Sequence, residues 1–212
     1  MPAIVHEEER AQARLTDLGL TYEIIYDAIL AGELARSSCT ANDPPATAGI
    51  LAWARTTRRF REGTAPLGWR ASEAGQLSTC VDPTGCNAVA VTTGDHNTGN
   101  PHVEPKTKYP KGPATAAAIE RNKLQLGLFE SPPASEEPQA SNVVTWLLLL
   151  ARTDSEIRCE FSLPGHIGID ERIESWTERI ILGAVPIEPT PKFEQLDEAA
   201  DIEVDVKRRQ SS

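Results

Sequence analysis

The chain has 212 residues, 40% hydrophobic content and a net charge of −10, enough apolar material for a core, which excludes global disorder. Its start has no basic stretch followed by an apolar one, and its longest apolar run, Val143 to Ala151 broken only by Thr145, is far too short to span a bilayer. Four cysteines without a Cys-x-x-Cys pair, and arginine outnumbering lysine 15 to 6, point to reduced thiols in a bacterial cytoplasm.

The N-terminal third reads as helical. Residues 5–18 form a charged amphipathic helix that Gly19 can end as a left-handed cap. Thr21 starts a second helix running to about Arg36, and Asn42-Asp43-Pro44-Pro45 breaks the pattern. Thr47 caps a third helix to about Glu62, which Gly63 ends. In that helix Ile50, Trp53, Ala54, Thr57 and Phe60 share one face, while Arg55, Arg58, Arg59 and Glu62 share the other.

Strands follow from Leu67 onward. Asp82-Pro83-Thr84-Gly85 suits a type I turn joining a strand around 76–81 to one around 87–93. Pro113 suits the first turn of a helix that continues to about Gln125. Residues 130–142 make a polar, proline-rich connector. A second hairpin pairs the apolar run 143–151 with the alternating segment 157–163, where Ile157, Cys159, Phe161 and Leu163 face in and Arg158, Glu160 and Ser162 face out. Residues 169–182 fit both helix and strand, read here as a short helix or turn and then a strand. From Pro186 to the end, prolines and acidic residues predict an extended tail. The expected fold is therefore α+β: N-terminal helices packed on an antiparallel sheet built from the two hairpins, with one further helix between them. Residues 1–185 form one domain and 186–212 its tail.

Charge is unevenly spread. Residues 50–123 carry ten Lys/Arg against six Asp/Glu, inside an otherwise acidic chain, which points to an anionic partner for this portion. Within it, Gly94-Asp95-His96-Asn97-Thr98-Gly99 leads to Lys106, Lys108 and Lys111, just ahead of Gly112 and the Pro113 helix start. A helix N-terminus carries free N–H groups and about +0.5 of a charge, so lysines gathered there suit a phosphate. No P-loop, dinucleotide-binding glycine fingerprint or Gly-x-Ser-x-Gly elbow is present.

The leading expectation is a cytoplasmic protein binding the phosphate of a nucleotide or single-stranded nucleic acid. Lys106, Lys108, Lys111 and Gly112 would grip the anion, Tyr109 would stack on a base, and Arg55, Arg58 and Arg59 would extend the surface. One alternative is a metal-dependent hydrolase, since His96, His102, Asp95 and Glu104 offer nitrogen and oxygen ligands for a divalent metal such as zinc or manganese. Cys80 and Cys86 with the same histidines would make a four-ligand zinc set, although the cysteine spacing is wide for zinc. Another is a non-enzymatic protein that meets a protein partner through its acidic flanks and tail. No cofactor is otherwise expected, and no membrane association.

Overall fold

The computed structural model describes residues 2–128 and 143–187. The expected connector at 130–142 and the tail from residue 188 onward lie outside the described residues. Seven strands form one mixed sheet: β1 (Ala3–Val5), β2 (Arg70–Ser72), β3 (Thr79–Val81), β4 (Asn87–Thr93), β5 (Val144–Arg152), β6 (Glu156–Ile167) and β7 (Ile173–Pro186). Their order across the sheet is β1-β7-β6-β5-β4-β3-β2. Helices α1 (Glu8–Asp17), α2 (Tyr22–Ser37) and α3 (Thr47–Thr64) cover one face, and α4 (Pro113–Leu128) covers the other.

Strand alternation explains how one sheet feeds two cores. Val89, Val91, Trp146, Leu148 and Phe161 point toward α1–α3, where they meet Leu15, Ile25, Ile29 and Phe60. The intervening Ala90, Leu147 and Leu149 point the other way and pack with Ile119 of α4, Ile173 and Trp176. Leu148 and Leu149 are both fully buried. Each such side chain contributes about 1.5–3 kcal/mol through its removal from water.

This arrangement overturns the expected small antiparallel sheet of two hairpins with one helix between them. The two hairpins are joined edge to edge by a parallel pairing of β4 with β5, from Asn87 opposite Val144 to Thr93 opposite Leu150. A strand that is apolar on both faces needs cover on both, and α4, inserted between β4 and β5, supplies the second layer. The first residues also differ from the expected helix. Ala3–Val5 extends the sheet by pairing parallel to β7, and α1 begins only at Glu8. Of residues 169–182, read as a short helix or turn and then a strand, the first few make the turn after β6 and the rest belong to one long strand, Ile173–Pro186.

α4 is fastened to the sheet through a side chain that imitates backbone. Asn122 donates from Nδ2 to the Thr145 carbonyl at 2.9 Å and accepts the Thr145 N–H at 2.8 Å, all within the buried core. On the opposite face α2 and α3 approach closely at Gly32. A Cβ there would collide with Thr56 Oγ1 and sit 2.9 Å from the Ala52 carbonyl oxygen. Two ion pairs tie helices to strands. Arg14 of α1 reaches Glu178 of β7 at 2.6 Å, and Arg152 of β5 reaches Glu33 of α2 at 2.8 Å.

Candidate functional site

The segment between β4 and α4 is a stitched loop. Gly94 bridges to Thr107, and the Asp95 N–H donates to the Lys106 carbonyl at 2.8 Å, closing the loop at its base. Asp95 Oδ1 accepts the Asn97 N–H and Asn100 Oδ1 accepts the His102 N–H, the short side-chain turns that Asp and Asn favour. Thr107 then sews the loop to β7, donating its N–H to the Ile173 carbonyl and accepting the Ile173 N–H at Oγ1. Trp176 Nε1 donates to the Pro105 carbonyl at 2.8 Å.

Beneath the loop lies a buried charge network. Glu160 and Ser162, expected to face solvent, are both fully buried because the loop covers that face of β6. Glu160 accepts from Arg179 Nε at 3.1 Å and Nη2 at 2.6 Å, from the Gly99 N–H at 2.9 Å and from Ser162 Oγ at 2.9 Å. Arg179 also donates to the Asn100 and Val103 carbonyls. Gly99 sits at φ +78°, a left-handed conformation that turns its N–H toward the carboxylate. Sequence reasoning missed Glu160 and Arg179. Charge pattern did not single them out, since β6 also carries Glu156 and Arg158 and β7 also carries Glu174 and Glu178.

The three lysines diverge. Lys106 Nζ forms an ion pair with Glu174 at 2.7 Å, and that hydrogen bond raises its pKa. Lys111 is half-buried, donates from Nζ to Thr92 Oγ1 at 2.6 Å, and has its pKa lowered by desolvation. Lys108 lies over the Tyr109 ring, its Nζ 5.6 Å from the centroid, and both residues are exposed. The Gly112 carbonyl accepts from the Thr115 and Ala116 N–H groups, opening α4 beside these residues.

Arg55, Arg58 and Arg59 are elsewhere. Val91 packs toward α3, with Trp53 Nε1 of α3 donating to its carbonyl, whereas the next residue, Thr92, faces the α4 side and receives Lys111. The arginines and the lysine loop are therefore on opposite sides of the sheet. The candidate metal ligands are likewise apart from any common centre. His96, His102 and Glu104 are exposed, and Asp95 is engaged in its own turn. Among the described residues, no group of three or more His, Cys, Asp or Glu side chains gathers as a metal ion requires. Cys80 is buried against Thr64 Oγ1, whereas Cys86 is exposed in the β3–β4 turn.

The arginines line a second feature, a groove of about 480 Å³ between α2 and α3. Ala31, Leu34 and Ala35, at helical spacing on α2, form its apolar side, and Arg55, Arg58 and Arg59 form its cationic side. Leu34 is 74% exposed. Arg58 pairs with Glu62 at 2.7 Å and Arg59 with Asp27 at 3.0 Å, both in solvent. Arg55 is exposed and makes no ion pair among the described residues. No helix among the described residues is long and apolar enough to cross a membrane.

The chain matches no protein-family model, no curated protein and no solved structure.

Proposed function

We propose that the protein is a binding module whose α2–α3 groove receives a partner-protein segment carrying carboxylates beside apolar side chains. The observation that carries this reading is Leu34, 74% exposed on the wall of a groove whose other wall bears three arginines. Covering a leucine side chain is worth about 1.5–3 kcal/mol. The Arg58–Glu62 and Arg59–Asp27 pairs are solvent-exposed and worth roughly 0–1 kcal/mol each, so a partner carboxylate exchanges for them at little cost. Arg55 offers its charge outright. The remainder of the chain is acidic, which leaves this face electrostatically distinct.

Fluorescence anisotropy with a labelled peptide of alternating Glu and Leu tests this. The expected result is binding that weakens with salt and is lost in Leu34→Asp and in R55E/R58E. Binding indifferent to these substitutions, or none at low ionic strength, overturns the reading.

A second reading retains an anion site at Lys108 and Tyr109, favoured by one observation. The β4–α4–β5 crossover brings the lysine loop to the carboxyl end of a parallel strand, where open α/β sheets receive ligands. With Lys106 and Lys111 engaged internally, the charge on offer is that of Lys108, so the expected ligand is a single phosphate with a stacking base. Titration with a nucleoside monophosphate, followed by Tyr109 fluorescence in wild type and Lys108→Glu, decides it.

A further inference from the structure

We infer that Lys111 and Thr92 form a carbonyl-capture site, in which the Lys111 amine condenses with a small aldehyde and the Thr92 hydroxyl relays the proton. The site uses neither the arginines nor Lys108, so it stands independently of the groove and of a phosphate at Lys108.

Four lysines fall among the described residues. Lys106 pairs with Glu174 and Lys123 with Glu120, while Lys108 is exposed over the Tyr109 ring. Lys111 is half-buried, and its Nζ meets the neutral Thr92 hydroxyl at 2.6 Å. It has no carboxylate partner among the described residues, in a chain with 31 Asp and Glu. A charge drawn out of water is ordinarily paired, so these surroundings favour the free amine. The free amine has a lone pair, to which the Thr92 O–H can donate.

The placement is that of a ligand site. The Lys111 N–H donates to the Glu171 carbonyl at 2.8 Å, and Pro110 and Pro113 stiffen the backbone on either side. From this anchor the side chain returns to Thr92 near the carboxyl end of β4, where the parallel β4–β5 pair opens toward α4. Ligands of open α/β sheets are received at that end. Thr92 and Lys111 each keep part of their surface in solvent, so the pair lies at the rim of the buried layer rather than beneath it.

The amine nitrogen adds to the aldehyde carbon, and one amine proton passes through the Thr92 hydroxyl to the carbonyl oxygen, giving a carbinolamine. That oxygen then leaves as water with the second amine proton, and the C=N bond of an imine remains. No oxidant or reductant enters. At pH 7 an ordinary lysine holds only about one part in 2,500 as free amine. Burial lowers the Lys111 pKa and enlarges that share, as desolvation does for lysines that form imines.

The experiment treats the full chain at pH 7 with propanal and excess cyanoborohydride, which reduces each imine to a stable secondary amine. Labelling at each lysine is followed by mass spectrometry. Lys111 should be labelled about tenfold faster than Lys108, although Lys108 is the more exposed. Thr92→Val should slow Lys111 about tenfold and Thr92→Ser should restore it, with Lys108 and Lys123 unchanged in both. Labelling of Lys111 no faster than Lys108 in the wild-type chain overturns the inference. So does a Thr92→Val chain, folded by circular dichroism, in which Lys111 reacts at the wild-type rate.

Discussion

Glu160 on β6 and Arg179 on β7 form a doubly hydrogen-bonded ion pair with no exposed surface, and the loop that leads into α4 is built over it. Apart from the Ser162 hydroxyl on the same strand, the hydrogen bonds described for the pair join its two partners or reach the loop. The Gly99 N–H and the Asn100 and Val103 carbonyls hold the loop down. Removing one partner leaves the other charged, buried and unpaired, which costs about 3–5 kcal/mol. Urea unfolding of Arg179→Met and Glu160→Leu should show losses of that order. The double variant E160L/R179M should lose less than the two single losses combined. Strict additivity would argue against the pair acting as a unit.

At Gly32 the wedge is steric. Gly32→Ala places a methyl group against Thr56 Oγ1 and the Ala52 carbonyl. Overpacking of this kind costs about 1–3 kcal/mol, outweighing the gain of up to about 1 kcal/mol that alanine brings to a helix interior. Adding Thr56→Ala should recover part of the loss but not all, because the carbonyl contact is backbone. Full recovery would place the whole conflict at the threonine.

Lys111 predicts a pH dependence. Its folded pKa is depressed by burial, so the unfolded chain binds more protons between the folded pKa and the ordinary lysine value near 10.4. Stability from this residue therefore rises with pH across that window, and the penalty is fully present below it. Lys111→Met should flatten that slope when melting temperature is compared with wild type from pH 7 to pH 10. A slope that is unchanged in the variant would remove Lys111 as its source. Lys106 acts in the opposite sense, since its pKa is raised by Glu174, so its contribution is present below the ordinary value and lost above it.

The thiols should separate by reactivity. Burial pushes Cys159 up to about 12 and raises Cys80, while Cys86 is exposed. Thiolate is the reacting species. Titration of the native protein with a disulfide reagent at pH 8 should label Cys86 promptly, with Cys80 and Cys159 reacting only on unfolding. Prompt labelling of Cys159 would contradict its burial.

Local features were legible in the sequence where one segment decides its own structure. Thr21 takes the cap position of α2, and the turn at Asp82 is closed by the Gly85 N–H donating to the Asp82 carbonyl, whereas Thr47, expected to cap α3, is its first helical residue after Ala46. Side-chain pattern reports burial, however, and not which strand lies alongside, so the apolar run around Leu147–Leu150 could be read as a hairpin strand without revealing its parallel neighbour. The β6–β7 register shifts hid a strand in a helical pattern. Ile173 and Trp176 are three residues apart yet enter the same cluster, which regular alternation forbids and a bulge allows. The lysines illustrate the same limit. Adjacent in sequence, they are sent by Pro110 and the Thr107 stitch to Glu174, Tyr109 and Thr92, neighbours contributed by three different parts of the chain.

The described sheet ends on both sides in strands of three residues, β1 and β2. An open edge is a template on which another chain can polymerise, and its hazard grows with the number of unpaired peptide groups in a row. Here the apolar strand β5 is paired along both flanks, and the rims are stubs, one of them carrying an exposed arginine at position 70. The molecule thus keeps its most amyloid-like stretch, Leu147 to Leu150, in the central strand, three strands away from either rim.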